Sequence, residues 1–213
     1  MTEILKFGLL IIAYLLGSIP FGYLIGKLRG IDIREHGSKN IGATNIGRVL
    51  GFKFAFLAFF LDLLKGALIV FLFRFSIIPQ NYCWLSPMTY GLAAVLGHSF
   101  SIFINFKGGK AVATTAGVLL GFSPWVFLVG FLVFVTLVIV TKLVSLSSLI
   151  SSSLTLVVAF VLYFIGFDPL FRLSVDFYFP LLHFVIFLII VFRHRDNIVR
   201  LIKHQEQPFS FKK

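Results

Sequence analysis

Cysteine is nearly absent from this 213-residue chain: Cys83 stands alone, so no intrachain disulfide can form and no cysteine cluster can hold a metal. It reads as a lipid-facing or loop residue. Acidic side chains are scarce too. Eight Asp and Glu against 19 Lys and Arg leave a formal net charge of +11 and too few carboxylates for a two-metal site. Charged residues make up 13% and apolar residues 59%, with a mean hydropathy of +1.01, against about 25% charged and roughly 45–50% apolar in a soluble domain. A water-soluble core cannot absorb that much apolar surface. No segment is long and polar enough for a separate soluble domain, since the longest are 27–53 and the tail from Arg193. The expectation is a single all-α integral membrane domain over residues 1–213.

The stretch from Ile4 to Ile25 exceeds a signal-peptide core and has no small-residue cleavage site at its end, so it reads as a retained first helix. Cations then give the topology. Six Lys and Arg fall in 27–53, two in Lys107-Gly108-Gly109-Lys110, one at Lys142 and six from Arg193 onward. Under the positive-inside bias these four segments are cytoplasmic. Only Lys6, Lys65, Arg74 and Arg172 remain, which makes the loops around Pro79 to Pro87 and Gly166 to Tyr178 external. Apolar runs at 4–25, 54–74, 88–105, 126–141, 146–165 and 179–193 are six crossings, which would place the KGGK turn and Lys142 on opposite faces. The missing crossing is Ala111 to Phe122, stopped by Ser123-Pro124. Seven transmembrane helices result, with the N-terminus outside and the C-terminus cytoplasmic. The helix after KGGK spans only about 18 Å of a roughly 30 Å hydrocarbon layer. Its start is therefore recessed, which predicts a cleft open to the cytoplasm.

Three polar clusters stand out against this background. In KGGK, glycines allow φ > 0 and can turn successive N–H groups toward one anion, while Lys107 and Lys110 supply charge. On its own the turn would read more readily as a topology anchor. The second cluster, His36-Gly-Ser-Lys-Asn-Ile-Gly-Ala-Thr-Asn-Ile-Gly-Arg48, offers hydroxyls, amides and an arginine fork suited to phosphate. The third is His194-Arg195-Asp196-Asn197, continuing to Arg200, Lys203 and Glu206, in which His194 and Asn197 share a helix face. A histidine there can exchange a proton with a reacting oxygen. Smaller signals are an Asp62–Lys65 pair at i, i+3, expected to be a structural ion pair, and His98, either packed or cleft-lining. Ser145, Ser147 and Ser148 are placed to cap a helix or bind an anion, and His183 reads as packed.

Taken in order, His36-Gly-Ser-Lys-Asn-Ile-Gly-Ala-Thr-Asn through Arg48, Phe106-Lys-Gly-Gly-Lys-Ala-Val-Ala-Thr, and His194-Arg-Asp-Asn-Ile through Glu206 resemble the three motifs of the bacterial acyl-phosphate:glycerol-3-phosphate acyltransferases, the PlsY family. The likeness covers nearly the whole chain. It implies a seven-helix enzyme that moves a fatty acyl group from acyl phosphate to the sn-1 hydroxyl of glycerol 3-phosphate, the first acylation of phospholipid biosynthesis, giving lysophosphatidic acid and phosphate. It also implies a bacterial cytoplasmic membrane location, with no acyl-CoA, cofactor or metal. By this resemblance and the reading above, Ser38, His194 and Asn197 are candidate catalytic residues. Candidate substrate- and phosphate-binding residues are Arg48, Lys110, Gly108, Gly109, Asn45, Thr44, Lys107 and Ser147. Membrane lipids and a soluble acyl-phosphate-producing enzyme are the expected partners, and nucleic acid is not. Two positions depart from the family pattern: Ala111 where glycine is usual, and Lys39 where a small residue is.

The chemistry is consistent with the resemblance. An acyl phosphate is an activated mixed anhydride, so a hydroxyl can attack it directly without a protein nucleophile, and two phosphates must be held together. With no carboxylate evident as a general base, the proton goes to His194 or to the substrate's own phosphate. No histidine is followed by Asp in the HxxxxD spacing of the soluble-type glycerolipid acyltransferases, and KGGK is no Walker A loop, since Ile104 and Ala111 occupy the positions for Gly and Ser/Thr. A phosphate or organophosphate transporter is the rival class. It would more naturally show two related halves, and no such repeat is visible.

Overall fold

A computed structural model describes residues 2–170 and 174–210; Arg172, Lys212 and Lys213, counted above, lie outside the described residues. Among the described residues the regular structure is helical. The order is α1 Thr2–Ser18, α2 Phe21–Leu28, α3 Ala43–Leu50, α4 Phe52–Arg74, α5 Pro87–Ser99, α6 Val112–Phe122, α7 Pro124–Thr141, α8 Val144–Ile165, α9 Tyr178–Arg193 and α10 Arg195–Ile202. Among the described residues, five helices are long and apolar enough to cross a membrane, counting α1 and α2 together as Thr2–Leu28. A sixth is α9 with α10, a pair bent by 61°. At 11 residues, about 17 Å, α6 is the short apolar helix anticipated after KGGK.

Local chemistry sets these boundaries. Ser86 and Ser123 accept from the N–H groups of Met88 and Val126 at 3.4 and 3.3 Å, each ahead of a proline in the first turn, where its missing N–H goes unused. The stop at Ser123-Pro124 falls where the sequence places it. Three features differ from the expectation of plain spans and loops. Pro20 interrupts the first run, splitting it into α1 and α2. Part of the polar segment between them and α4 is helical, as α3. The last helix ends at His194, so the third motif sits on a sharp bend and not on one continuous helix.

The short α6 is buried by close backbone contact. A Cβ on Gly117 would fall 1.9 Å from the Leu63 carbonyl oxygen of α4, and one on Gly66 would fall 2.1 Å from that of Thr114. Lipid tails are as apolar as leucine, so helix association in a bilayer depends on such close packing more than on burial from water. Stacked rings of Phe73 with Tyr90 and Phe122 with Phe179, both 4.5 Å between centroids, fill the middle. At one end, Arg74 donates from Nε to the Phe122 carbonyl at 3.1 Å and from Nη2 to that of Ser174 at 2.8 Å. The end of α2, all of α3, the KGGK loop, the α7–α8 turn and α10 gather at the other.

Candidate active site

Two cavities meet at that second end. The larger in reach, about 360 Å³, begins among Ser38, Thr44, Arg48, Lys110, His194 and Asn197, then continues as a long chamber between α6, α7 and α8 past Leu119, Phe127 and Phe131. Its neighbour, about 450 Å³, is ringed by Arg34, Lys39, Lys107, Arg193, Arg195 and Arg200, with Asp196 an acid among them. Ser38, Asn40, Lys110, Asn197 and Arg200 line both. The long chamber is therefore polar at one end and apolar along its length, while the other is a cationic basin.

The shared wall is a hydrogen-bonded network. Lys110 Nζ donates to Asn197 Oδ1. Asn197 Nδ2 donates to Glu206 at 2.6 Å, as do Ser145 Oγ at 2.8 Å and Arg200 Nε at 2.7 Å. His194, buried at the bend, places Nδ1 2.8 Å from the Ile190 carbonyl. A carbonyl only accepts, so Nδ1 is the protonated nitrogen and Nε2 is left to the chamber that His194 lines. Burial, with Arg200, Arg193 and Arg48 nearby and Glu206 opposing, pushes the Lys110 amine down to about 8. Burial alone would raise the Glu206 carboxyl, but its bonds from Arg200, Asn197 and Ser145 hold it below the ordinary range.

Most of the candidate residues come together, and some change role. Ser38, Thr44, Arg48, Lys110, His194 and Asn197 line the long chamber, and Lys107 and Gly108 the basin. Arg48 also donates from Nη2 to the Gln207 carbonyl at 3.1 Å, so the C-terminal tail lies across the first motif. Asn45 also borders the long chamber, but its side chain is engaged mainly by the first motif itself. Its amide donates to the carbonyls of Ile33, His36 and Asn40 at 3.1, 3.0 and 2.8 Å, and its oxygen accepts the Ser38 N–H at 2.7 Å. These bonds give it a part in shaping the first motif. Ser147 borders neither cavity and bonds the Leu143 carbonyl of its own helix at 2.9 Å; Ser145 and Ser148 face the long chamber in its place.

The glycine nest expected of KGGK is also corrected. Neither Gly108 nor Gly109 has a positive φ; the left-handed residues here are Asn105, Phe106 and Ala111, at φ 52°, 59° and 63°. The Gly109 N–H is already bound to the His98 carbonyl at 3.0 Å. Close approach is what these glycines supply, since a Cβ on Gly109 would lie 2.2 Å from His98 Nε2 and one on Gly108 2.0 Å from the His98 carbonyl oxygen. Their own carbonyls accept from Arg193, at 2.9 Å from Nε to Gly109. Both departures from the family pattern, Lys39 (φ 58°) and Ala111, are left-handed positions that a glycine would occupy with less strain.

Sequence reasoning did not place Arg193 or Glu206 in the site, and left Ser145 open between capping a helix and binding an anion. Glu206 was visible within the third motif, yet only the fold-back of the tail reveals its partners. The Asp62–Lys65 pair is present at 2.8 Å, His183 is packed with Nε2 3.4 Å from Thr155 Oγ1, and His98 borders the long chamber.

Known proteins resemble this chain over nearly its whole length. A family model described as glycerol-3-phosphate acyltransferase matches residues 7–204. Glycerol-3-phosphate acyltransferase 3 of Bacillus anthracis is 44% identical over 96% of each chain. Glycerol-3-phosphate acyltransferase of Lactococcus lactis subsp. lactis is 44% identical over 95% of this chain and 92% of its own. Crystal structures of PlsY (YgiH), an integral membrane glycerol 3-phosphate acyltransferase, superpose with TM-scores of 0.84 for the glycerol 3-phosphate form and 0.82 for the lysophosphatidic acid form. They are 40% and 39% identical, over 96% of this chain and 96% and 95% of theirs. With its three motifs folded into one two-chambered site and its relatives matching end to end, this chain belongs to the glycerol-3-phosphate acyltransferase family.

Proposed function

We propose that this multi-pass membrane protein transfers a fatty acyl group from acyl phosphate to the sn-1 hydroxyl of glycerol 3-phosphate, releasing lysophosphatidic acid and phosphate. The observation that carries the reading is the pairing of an apolar-tailed chamber with a cationic basin across Lys110 and Asn197. An acyl phosphate needs an apolar slot ending in cations, and a small phosphate ester needs cations alone. The acyl chain lies along α6, α7 and α8 with its phosphate toward Arg48 and Lys110, and glycerol 3-phosphate takes the basin. Four cation-rich segments meet at one end and Arg74 and Ser174 lie at the other, which supports seven crossings with the site cytoplasmic and the N-terminus outside. The membrane is the bacterial cytoplasmic one, and a soluble enzyme delivers the acyl phosphate to that face.

In the reaction the hydroxyl oxygen attacks the acyl carbon, the C–O bond to phosphate breaks, and phosphate leaves with the electron pair. Lys110 and Arg48 neutralise charge that builds on the leaving phosphate, and Ser38 and Asn197 orient the reacting groups. The hydroxyl proton passes to His194 Nε2 or to a substrate phosphate oxygen. Glu206 is a carboxylate the sequence reading did not anticipate at the site, but its three donors, Arg200 among them, commit it to holding Asn197. Purified protein given acyl phosphate and labelled glycerol 3-phosphate in detergent should yield labelled lysophosphatidic acid. Substrate binding without product would refute acyl transfer, and uptake by proteoliposomes without turnover would favour a transporter.

A further inference from the structure

We propose that the buried series Lys65–Asp62–His98 positions the KGGK loop, so that His98 and Asp62 act on acyl transfer through Lys110. Lys65 and Asp62 have side chains each 3% exposed and 2.8 Å apart. Lys65 Nζ also donates to the Ile19 carbonyl at 2.7 Å, at the α1–α2 break. From the other side of Asp62, His98 Nδ1 lies 3.5 Å from Oδ1. His98 sits in the last turn of α5, and the loop is built on it: its carbonyl takes the Gly109 N–H at 3.0 Å, and its ring leaves Gly109 no room for a Cβ. Polar contacts thus run from the α1–α2 break through α4 and α5 to the residue before Lys110, the Asp62–His98 step being a 3.5 Å approach with no hydrogen bond.

Two physical arguments favour positioning over stability. Ionisable groups inside a membrane protein are costly, and a buried ion pair is commonly matched or exceeded in stability by apolar residues of the same volume. What the pair can give, and apolar packing cannot, is a fixed direction for the His98 ring. The loop needs such a fixture, because Asn105, Phe106 and Ala111 hold left-handed backbone that persists only when its surroundings impose it. Arg193 grips the same two glycines through their carbonyls, so the residue preceding Lys110 is held from both sides. A displacement of about 1 Å at Lys110 is enough to lower the rate on the order of a hundredfold.

The proposal rests on the acyl-transfer reading, so its test includes a measurement that needs no turnover. His98→Ala and the charge-free double variant Asp62→Asn/Lys65→Met, which leaves no unpaired buried ion, are compared with wild type, alone and combined with Lys110→Ala. Each is expected to lower kcat/KM for glycerol 3-phosphate about tenfold to a hundredfold, and to add less than about threefold once Lys110 is alanine. Hydrogen–deuterium exchange at Gly109 should rise at least about tenfold in both, with α8 unchanged. Losses that multiply with Lys110→Ala would assign Asp62 or His98 a direct role at the substrate and overturn the proposal. Unchanged exchange at Gly109 would overturn it whether or not the wild type makes lysophosphatidic acid.

Discussion

Lys110 can grip a phosphate only while protonated, and its surroundings bring its titration into an accessible range. Burial, with Arg200, Arg193 and Arg48 adding to it against Glu206, lowers its pKa from 10.5 to about 8. The cation exists below that value and the neutral amine above it, so substrate affinity is lost as pH rises. At pH 7.5 about three-quarters of free enzyme carries the charge, and at pH 9 about one-tenth, whereas an unperturbed lysine would change by under about 5%. Initial rates at subsaturating glycerol 3-phosphate should therefore show kcat/KM falling about eightfold between pH 7.5 and 9. The kcat profile should break at higher pH, because a bound phosphate favours the cation. Lys110→Arg, always charged, is expected to flatten the fall even if its absolute rate is lower. The linkage to stability has the opposite sign: between about 8 and 10.5 the unfolded chain holds the proton and the folded one does not, so the burial penalty eases as pH rises. Titration of Lys110 does not by itself destabilise the fold over this range. A kcat/KM flat to pH 9.5, or an equal fall in Lys110→Arg, would refute the assignment.

Three substitutions test the corrected roles. Asn45→Ala removes four buried or part-buried hydrogen bonds and should cost on the order of 3–5 kcal/mol, seen as a lowered melting temperature in detergent; normal stability with a raised KM would instead favour its role as a ligand. Ser147→Ala should leave stability within about 0.5 kcal/mol and activity unchanged, since its hydroxyl bonds only its own helix; a specific rise in KM would contradict this. Ala111→Val forces a β-branched residue into buried left-handed backbone and should lose about 2 kcal/mol or more, while Ala111→Gly should be tolerated; equal behaviour of the two in thermal unfolding would count against strain at that position.

How far the letters revealed this site depends on the range of each interaction. Clustered cations, apolar runs and the Ser123-Pro124 stop act locally, so they disclosed the membrane class, the short helix after KGGK and the gathering of four segments at one end. The candidates picked by motif chemistry, among them Ser38, Lys110, His194 and Asn197, do line one chamber. What stayed hidden needed partners distant in sequence. Glu206 looks like one charge in a basic tail until the tail folds back and Ser145, 61 residues away, donates to it. Gly108 and Gly109 invite a nest reading because glycine signals both freedom of φ and absence of a side chain, and spacing alone cannot separate the two. Only His98, pressed against the missing Cβ of Gly109, decides for the second. It follows that Ala111 is no loss to an anion nest. With Gly109's N–H bound to His98, the phosphate binding proposed for this loop rests mainly on the Lys110 charge, and the backbone holds that charge against Asn197.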